Sequence, residues 1–343
     1  MNIVHVTRSL ITNSGISVFV CRAADAMVGF CHDVHVRYTW YPEMPVSSKV
    51  DVKPFKALDE MGFVPDIVHI HGLWSLDMVK AMFWCRRNGI KYIVSPHGGL
   101  MPRVMQKAWL KKRVFYYLFL KRNLNRAAAI HCTGDGEVLA VKNLGIQSRT
   151  FIVPLGCDIP QLDRSIAKKK QFLFLSRIGE EKGLVCLLDA WKSIVHNGWK
   201  LLLAGPDWEG YQGVIEKKIS DEKITDVNLY GQADSTQRDN LYRSSSFFIL
   251  PSPMENFSMV VLDALAYGVP VICTKGCPWQ AIETNKCGWW VTPNNATELA
   301  TAIKEAMVLQ PEELQAMGIR AVDLARGYCW GTVAKDLIAE YEK

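Results

Sequence analysis

Residues 251–272 read PSPMENFSMVVLDALAYGVPVI, and they contain the clearest signals of secondary structure in the chain. An apolar run ends at Leu250, two prolines then force a loop, and a helical pattern begins near Ser258. That helix is expected to end at Gly268, just before another β-branched run. The order strand, loop, helix, strand predicts a unit with two parallel strands and a crossover helix.

The same alternation of short apolar runs and longer helical segments continues along the whole chain. It predicts an α/β fold with parallel sheets and crossover helices. The predicted strands are 2–7, 33–38, 67–71, 92–95, 129–132, 150–153, 172–175, 201–204, 227–230, 247–250 and 271–274. The predicted helices are 15–30, 76–87, 102–126, 134–144, 183–196, 258–267, 297–308 and a last one that runs through Tyr341.

Residues 154–160 contain two prolines and a glycine and follow no period, so we interpret them, with the polar stretch up to residue 170, as a linker. They separate two predicted domains, 1–155 and 161–325. Two facing Rossmann-like domains are the simplest architecture for this pattern. Ligands of such sheets bind beyond the carboxyl ends of the strands, so we expect the reaction to take place in a cleft between the domains.

The composition is that of a folded globular protein, since 49% of the 343 residues are hydrophobic and 22% are charged. No stretch reaches the roughly 18 consecutive apolar residues of a membrane-spanning helix, and the N-terminus lacks a secretory signal pattern. Ten cysteines without a CxxC pair or zinc-ligand spacing suit a reducing compartment. We therefore expect a cytoplasmic protein.

Two carboxylates flank the predicted helix start in the stretch 251–272. Glu255 precedes it, and Asp263 lies eight positions later, inside the helix. Free backbone N–H groups around Phe257–Val260, together with the helix dipole, favour a phosphate at this point. The pattern indicates a site where carboxylates hold hydroxyl groups and the helix start holds phosphate.

This stretch resembles the E-x7-E signature of the retaining glycosyltransferases of family 4, which have the GT-B fold of two facing Rossmann-like domains. The resemblance includes Phe257 and the pattern A-x-A-x-G-x-P-V at 264–271; the second acid is Asp263, one methylene shorter than the family's glutamate. It implies that Glu255 orients hydroxyls of a donor sugar and that Asp263 holds the ribose. Asn256, Ser258 and Met259 join Phe257 as expected donor-binding residues.

Upstream, residues 176–183 read SRIGEEKG and resemble the R-x-x-x-E-K-G loop of that family. Two cations five positions apart, Arg177 and Lys182, can neutralise a diphosphate leaving group at the end of a strand. Taken alone they could equally be solvated charges at a helix start.

Further residues match family positions in order along the chain. Gly15 opens the first predicted helix after the segment NSGIS at 13–17, and Gly205 and Tyr230 follow strands in the second half, where the resemblance implies contacts with the nucleotide. His97, followed by two glycines at a strand end, resembles the histidine that approaches the donor sugar; a structural, hydrogen-bonded histidine is the alternative, and it is the stronger alternative for His71. The last segment, 328–343, resembles the closing helix that returns to the first domain.

Residues Pro102–Arg126 hold eight basic residues and no acid, with aromatic residues between them. One interpretation is a crossover helix with a buried aromatic face and a solvated basic face. The other is a surface that contacts anionic lipid at the inner face of the cell membrane, which suits family members with lipid-linked acceptors. Nucleic-acid binding is not supported, because no recognised nucleic-acid-binding pattern is present.

The sequence thus predicts a retaining, metal-independent glycosyltransferase that moves a sugar from a nucleotide sugar to a glycan or lipid-linked acceptor in surface polysaccharide synthesis. The absence of an Asp-x-Asp pair suits cationic side chains rather than a metal, and no cofactor is expected. Alternatives are a nucleotide-sugar epimerase, a phosphorylase on the same fold, or a non-catalytic sugar-nucleotide-binding protein. A nicotinamide dehydrogenase is disfavoured, since the GxGxxG fingerprint is missing.

Overall fold

The computed structural model describes residues 1–11, 14–44, 46–58, 61–162 and 167–343. They divide into two compact units. Unit 1 comprises Met1–Gly156 and Tyr328–Lys343, and unit 2 comprises Cys157–Gly327. Asn13 of the predicted first loop, and 163–166 of the polar stretch assigned to the linker, lie outside the described residues.

Unit 1 contains one parallel sheet. Its described strands are β1 (Asn2–Leu10), β2 (Asp33–Pro42), β3 (Asp51–Pro54), β4 (Ile67–His71), β5 (Tyr92–Ser95), β6 (Ala129–Cys132) and β7 (Thr150–Ile152), in the order β3-β2-β1-β4-β5-β6-β7. The helices between them are α1 (Gly15–Val28), α2 (Leu76–Arg87), α3 (Pro102–Gln106), α4 (Trp109–Phe115), α5 (Lys121–Leu124) and α6 (Asp135–Asn143). A 3-10 turn spans Phe55–Leu58, and a π-helical turn spans Tyr116–Leu120.

Unit 2 contains a second parallel sheet. Its described strands are β8 (Lys169–Leu175), β9 (Lys200–Ala204), β10 (Val227–Gly231), β11 (Ser245–Leu250), β12 (Val271–Thr274) and β13 (Gly288–Val291), in the order β10-β9-β8-β11-β12-β13. Its helices are α7 (Leu184–Lys192), α8 (Tyr211–Asp221), α9 (Ser235–Ser244), α10 (Met259–Ala266), α11 (Ala281–Thr284), α12 (Ala296–Met307) and α13 (Pro311–Arg326). The last helix, α14 (Trp330–Tyr341), belongs to unit 1.

Two parallel-sheet, Rossmann-like units confirm the predicted fold class. The sequence missed β3, a polar strand at the sheet edge, and β13, the half-buried strand GWWV. It also missed α8, α9 and α13, which are rich in polar and charged residues. In α8 and α9 few residues are buried, so the sequence offers few apolar positions from which to predict a helix.

The prediction of one continuous helix over Pro102–Arg126 is wrong. α3 ends before Lys107, Ala108 adopts a left-handed conformation with φ +56°, and a second helical segment then begins at Trp109. The Lys112 ammonium bonds the carbonyl of Val104 and so satisfies an acceptor of α3 across the break. No proline or glycine marks the break in the sequence.

Among the described residues no helix has both the length and the apolar character to cross a membrane.

Five histidines form a layer on the sheet of unit 1, which we call the histidine layer; four of them are buried and His97 is partly exposed. His5 lies on β1, His69 and His71 on β4, His131 on β6, and His97 just after β5. Burial lowers the pKa of His5 and His97 to about 3 and that of His131 to about 4, and it holds the pKa of His69 and His71 well below the usual value. All five rings are therefore neutral at pH 7.

In unit 2, the loops at the strand ends touch backbone to backbone. Gly183, with φ +70°, approaches so closely that a Cβ atom there would lie 2.4 Å from the carbonyl oxygen of Pro251. Gly205 follows β9, and a Cβ atom there would lie 1.9 Å from the carbonyl oxygen of Ser176. These contacts leave no room for a side chain, so they hold the loop after β8 against the loops after β9 and β11.

We expect acid to unfold unit 1 before unit 2. The unfolded chain binds protons on these histidines below about pH 6.5. In the native protein the pKa of His5 and His97 is about 3, that of His131 is about 4, and burial holds the pKa of His69 and His71 well below the usual value. Stability therefore falls as the pH falls below about 6.5. Each ring lowers the free energy of unfolding by about 1.4 kcal/mol for every pH unit. The five rings together therefore exceed a typical free energy of unfolding within about two pH units. Denaturant titrations monitored separately in the two units between pH 7 and pH 4 measure this slope. A pH-independent stability of unit 1 would contradict it.

We expect Gly183→Ala to destabilise unit 2 more than Gly198→Ala does. Both glycines have positive φ, but a Cβ at Gly198 meets nothing within 4 Å. The φ strain of about 1 kcal/mol is therefore common to both variants, and Gly183→Ala adds an overpacking cost of about 1–3 kcal/mol. Urea unfolding of the two variants measures the difference in their free energies of unfolding. Equal midpoints would show that the loop at Gly183 shifts to accept a Cβ atom without cost.

Candidate functional site

The central contact in unit 2 joins the loops after β8 and β11. The Nζ of Lys182 lies 2.6 Å from the Oε1 of Glu255, and the two side chains are only 11% and 15% exposed. Both residues were predicted to act at the site, and the structure places them in one buried ion pair. The prediction did not include this pairing, which neutralises part of the charge assigned to a diphosphate. Because an ammonium has three donors, two N–H groups of Lys182 remain for a ligand.

The start of α10 adjoins Glu255. Ser258 adopts a left-handed conformation with φ +69°, which is strained for a residue other than glycine. Its buried Oγ has no hydrogen-bond partner among the residues that the structure describes. The first amides of α10, which begins at Met259, have no acceptor within the helix. The loop before it is fixed by Trp279, whose Nε1 donates to the carbonyl of Phe257 at 2.5 Å. Asn256, between Glu255 and Phe257 in the sequence, is half-buried.

Arg177 is the more exposed of the two predicted cations. Its guanidinium lies 4.4 Å from the ring centroid of Trp208 and 3.4 Å from the carboxylate of Glu181. Stacking on Trp208 orients the guanidinium without occupying all of its donors. Gly205 and Gly231 meet where the amide of Gly205 donates to the carbonyl of Gly231 at 2.7 Å.

Tyr230 is 42% exposed and ends β10 together with Gly231. Its ring is therefore accessible to a ligand. Tyr230 precedes Gly231, whose carbonyl accepts from Gly205, at the end of the parallel pair of β9 and β10.

Asp263 is bonded to a residue that the sequence analysis did not single out. The Nη2 of Arg238, on α9, lies 3.1 Å from its Oδ2. Burial raises the pKa of Asp263 to about 6, and the positive charge of Arg238 opposes that rise. The ribose contact expected of Asp263 alone thus involves a carboxylate that already accepts a hydrogen bond from an arginine.

In unit 1, His97 lies in a strained turn at the end of β5. Its φ is +50°, and Gly98, with φ +76°, follows it. A buried carboxylate fixes this turn, since Glu137 accepts from the amide of Gly98 at 2.5 Å and from the amide of Thr133 at 2.9 Å. The sequence analysis missed Glu137. The signal that could have identified it is its position in the first turn of α6, the helix that follows β6.

His71 is fully buried, as the structural alternative expects, but it bonds His97 directly. Nitrogens of His5, His69 and His71 lie within 4.8 Å of one another, a spacing that suits a metal ion. All six of their ring nitrogens nevertheless have hydrogen-bond partners in the protein. We therefore interpret the cluster as a hydrogen-bonded layer.

Gly15 is the first residue of α1, just after the loop that follows β1, and it is exposed. The Oγ of Ser14 caps this helix.

Solved structures share this fold. HepE from Anabaena, determined in complex with UDP, superposes with a TM-score of 0.77 at 15% sequence identity and covers 100% of both chains. At this identity the similarity establishes the fold alone.

Characterised sequences are similar over parts of the chain. The amylovoran biosynthesis glycosyltransferase AmsD of Erwinia amylovora is 32% identical over 139 residues, which are 39% of this chain and 37% of AmsD. The GDP-mannose:cellobiosyl-diphosphopolyprenol alpha-mannosyltransferase of Xanthomonas campestris is 21% identical over 286 residues, 80% of this chain and 73% of that protein. The chain spans about half the length of several other curated relatives that it matches.

Two family models match the two halves of the chain. Residues 12–156 match the glycosyl transferase 4-like domain, and residues 160–322 match the glycosyl transferases group 1. Together they cover about nine-tenths of the sequence. The expected family is confirmed: this chain belongs to the family-4-like glycosyltransferases with the GT-B fold.

Proposed function

We propose that the protein is a retaining glycosyltransferase that moves a sugar from a nucleotide sugar to a hydroxyl of a glycan or lipid-linked acceptor. The observation that carries the proposal is the buried pair that Lys182, in the loop after β8, forms with Glu255, in the loop that opens α10. The names of relatives support a role in surface polysaccharide synthesis, since one serves amylovoran biosynthesis and another uses GDP-mannose and a diphosphopolyprenol acceptor.

The leaving diphosphate is stabilised by side chains and backbone of unit 2. Lys182 offers two N–H groups, Arg177 offers its stacked guanidinium, and the first amides of α10 face the same charge. The partnerless hydroxyl of Ser258 can donate to a phosphate oxygen. This set of donors makes a divalent metal unnecessary for charge neutralisation.

The donor sugar and ribose are held by carboxylates. Glu255 is positioned by Lys182 and retains acceptor capacity for a sugar hydroxyl. Asp263 and Arg238 together offer an acceptor and a donor to the ribose hydroxyls. The family resemblance also implies that His97 contacts the donor sugar. Retention is what the same resemblance implies.

We expect Lys182→Met to reduce transfer by about 10²- to 10³-fold, because it removes a preorganised positive charge from the leaving group. The matched control is Lys192→Met, which breaks an exposed lysine–glutamate pair with Glu222 on the same unit. Transfer from UDP-glucose and GDP-mannose to a diphosphopolyprenol-linked acceptor, measured with EDTA present, is the assay. The anomeric coupling of the product decides retention, and activity should stay within about a factor of two after chelation.

An equal effect of Lys182→Met and Lys192→Met would reject the leaving-group role of Lys182. Activity that requires added magnesium or manganese would reject the metal-independent site. Epimerisation or phosphorolysis of the nucleotide sugar without transfer would establish one of the alternative reactions. Tight nucleotide binding without any turnover would establish a binding protein.

We further propose that residues 102–126 bind the surface of an anionic membrane. This segment exposes large apolar side chains between its eight basic residues: Leu118 is 69% exposed, Leu110 59% and Trp109 58%. Tyr116 and Leu120 are fully buried, whereas Tyr117 and Phe119 beside them are exposed. The interpretation of a buried aromatic face therefore fails for most of the segment. An apolar patch surrounded by cations fits an anionic lipid surface.

We expect Leu110→Ser with Leu118→Ser to weaken binding to vesicles of phosphatidylcholine and phosphatidylglycerol by about tenfold or more, since each buried apolar side chain contributes about 1.5–3 kcal/mol. The control is Val195→Ser with Val308→Ser, which changes two valines that are 76% and 73% exposed on unit 2. Co-sedimentation measures the affinity. Binding that is unaffected by the leucine changes, or that persists on pure phosphatidylcholine, would contradict the proposal.

A further inference from the structure

We propose that Met27, His5 and His71 form a hydrogen-bond relay that fixes the ring of His97 as the Nε2–H tautomer. This inference rests on the proposed contact between His97 and the donor sugar. It assigns positioning roles to three buried residues that do not touch the substrate. The relay leaves the Nδ1 of His97 as a bare acceptor.

The relay is a continuous line of ring nitrogens. The Nε2 of His5 lies 3.4 Å from the Sδ of Met27, and the Nδ1 of His5 lies 2.9 Å from the Nε2 of His71. The Nδ1 of His71 lies 3.0 Å from the Nε2 of His97. Met27, His5 and His71 are at most 1% exposed, so water cannot replace any of these partners.

The sulfur of Met27 sets the direction of the line. A thioether can accept a hydrogen bond but cannot donate one, so the Nε2 of His5 carries the hydrogen. A neutral imidazole has one N–H group, and therefore the Nδ1 of His5 accepts from the Nε2–H of His71. The same rule makes the Nδ1 of His71 accept from the Nε2–H of His97.

A second line, anchored at a carbonyl, uses the remaining histidines of the layer. The Nε2 of His131 donates to the carbonyl oxygen of Val153 at 2.8 Å, so its Nδ1 accepts from the hydroxyl of Ser95 at 2.6 Å. Ser95 then accepts from the Nε2 of His69 at 2.6 Å, and the Nδ1 of His69 accepts from Tyr341 at 2.6 Å. The single N–H of His69 is thus used within this line, and the relay receives no hydrogen from it.

The fixed tautomer determines which ligand group His97 can face. Among the described residues no group bonds the Nδ1 of His97, and the ring is partly exposed. A lone pair there accepts from a hydroxyl and repels a phosphate or carboxylate oxygen. A ring with this tautomer therefore favours a sugar hydroxyl over a phosphate oxygen as its ligand.

The test reads the tautomers directly by nitrogen NMR of the full chain labelled with 15N-histidine. In the unmodified protein all five histidines of the layer should be Nε2–H and should not titrate between pH 6 and pH 8. Met27→Leu removes the acceptor, and His97 should then show both tautomers. Met82→Leu is the matched control, because Met82 is equally buried but lies in the apolar core. Either exchange conserves volume closely enough to leave the fold intact.

A His97 that is Nδ1–H in the unmodified protein, or that stays purely Nε2–H in Met27→Leu, would overturn the relay. In the transfer assay Met27→Leu should lower kcat/KM about tenfold, the loss of one hydrogen bond, and leave the affinity for UDP or GDP unchanged. Loss of nucleotide affinity to the same extent would indicate a structural effect and also overturn it. If no nucleotide sugar is turned over, the proposed function fails, while the NMR result still decides the relay.

Discussion

Parallel strands that are buried on both faces leave one place for polar chemistry, the loops at their carboxyl ends. In unit 2 the whole candidate site depends on those loops touching backbone to backbone. Gly183 lies against Pro251, and Gly276 is so close to Pro253 that a Cβ atom would lie 2.1 Å from its carbonyl oxygen. The loops after β8, β11 and β12 therefore behave as one block. Lys182 and Glu255 meet because the two loops that carry them pack backbone to backbone.

This rigidity changes the electrostatics of the site. A buried ion pair costs desolvation energy that its attraction only partly repays, so it persists where the surrounding fold holds both partners. Lys182 and Glu255 are held in this way before any ligand arrives. Charges that are already in position need no reorganisation as a leaving group develops its charge. The strained backbone at Ser258 belongs to the same block and presents the start of α10.

The parts of the structure that local sequence determines could be predicted. The strands Ile67–His71, Tyr92–Ser95, Ala129–Cys132 and Val271–Thr274 match the predicted limits because they are short runs rich in apolar residues, each followed by a polar residue, a glycine or a proline. The two acids and two cations could be singled out because they lie in two short motifs, 176–183 and 251–272, each of which follows a strand. The pairs that involve distant residues could not, since Arg238 meets Asp263 across 25 positions and His5 meets His71 across 66. The break at Ala108 carries no local signal, as alanine favours a continuous helix.

Asp263 stands where the family motif has a glutamate, and its pKa depends on Arg238, a residue outside the motif. Burial pushes its pKa up to about 6, even with a guanidinium 3.1 Å away. At pH 7 such a group is about nine-tenths ionised, and without the arginine a larger share would be neutral. A neutral carboxyl would still bond a hydroxyl, but it would no longer balance the cations that gather at a diphosphate site. Arg238 thus opposes the effect of burial on the pKa of the shorter acid, so the property of Asp263 depends on a residue of α9 outside the motif.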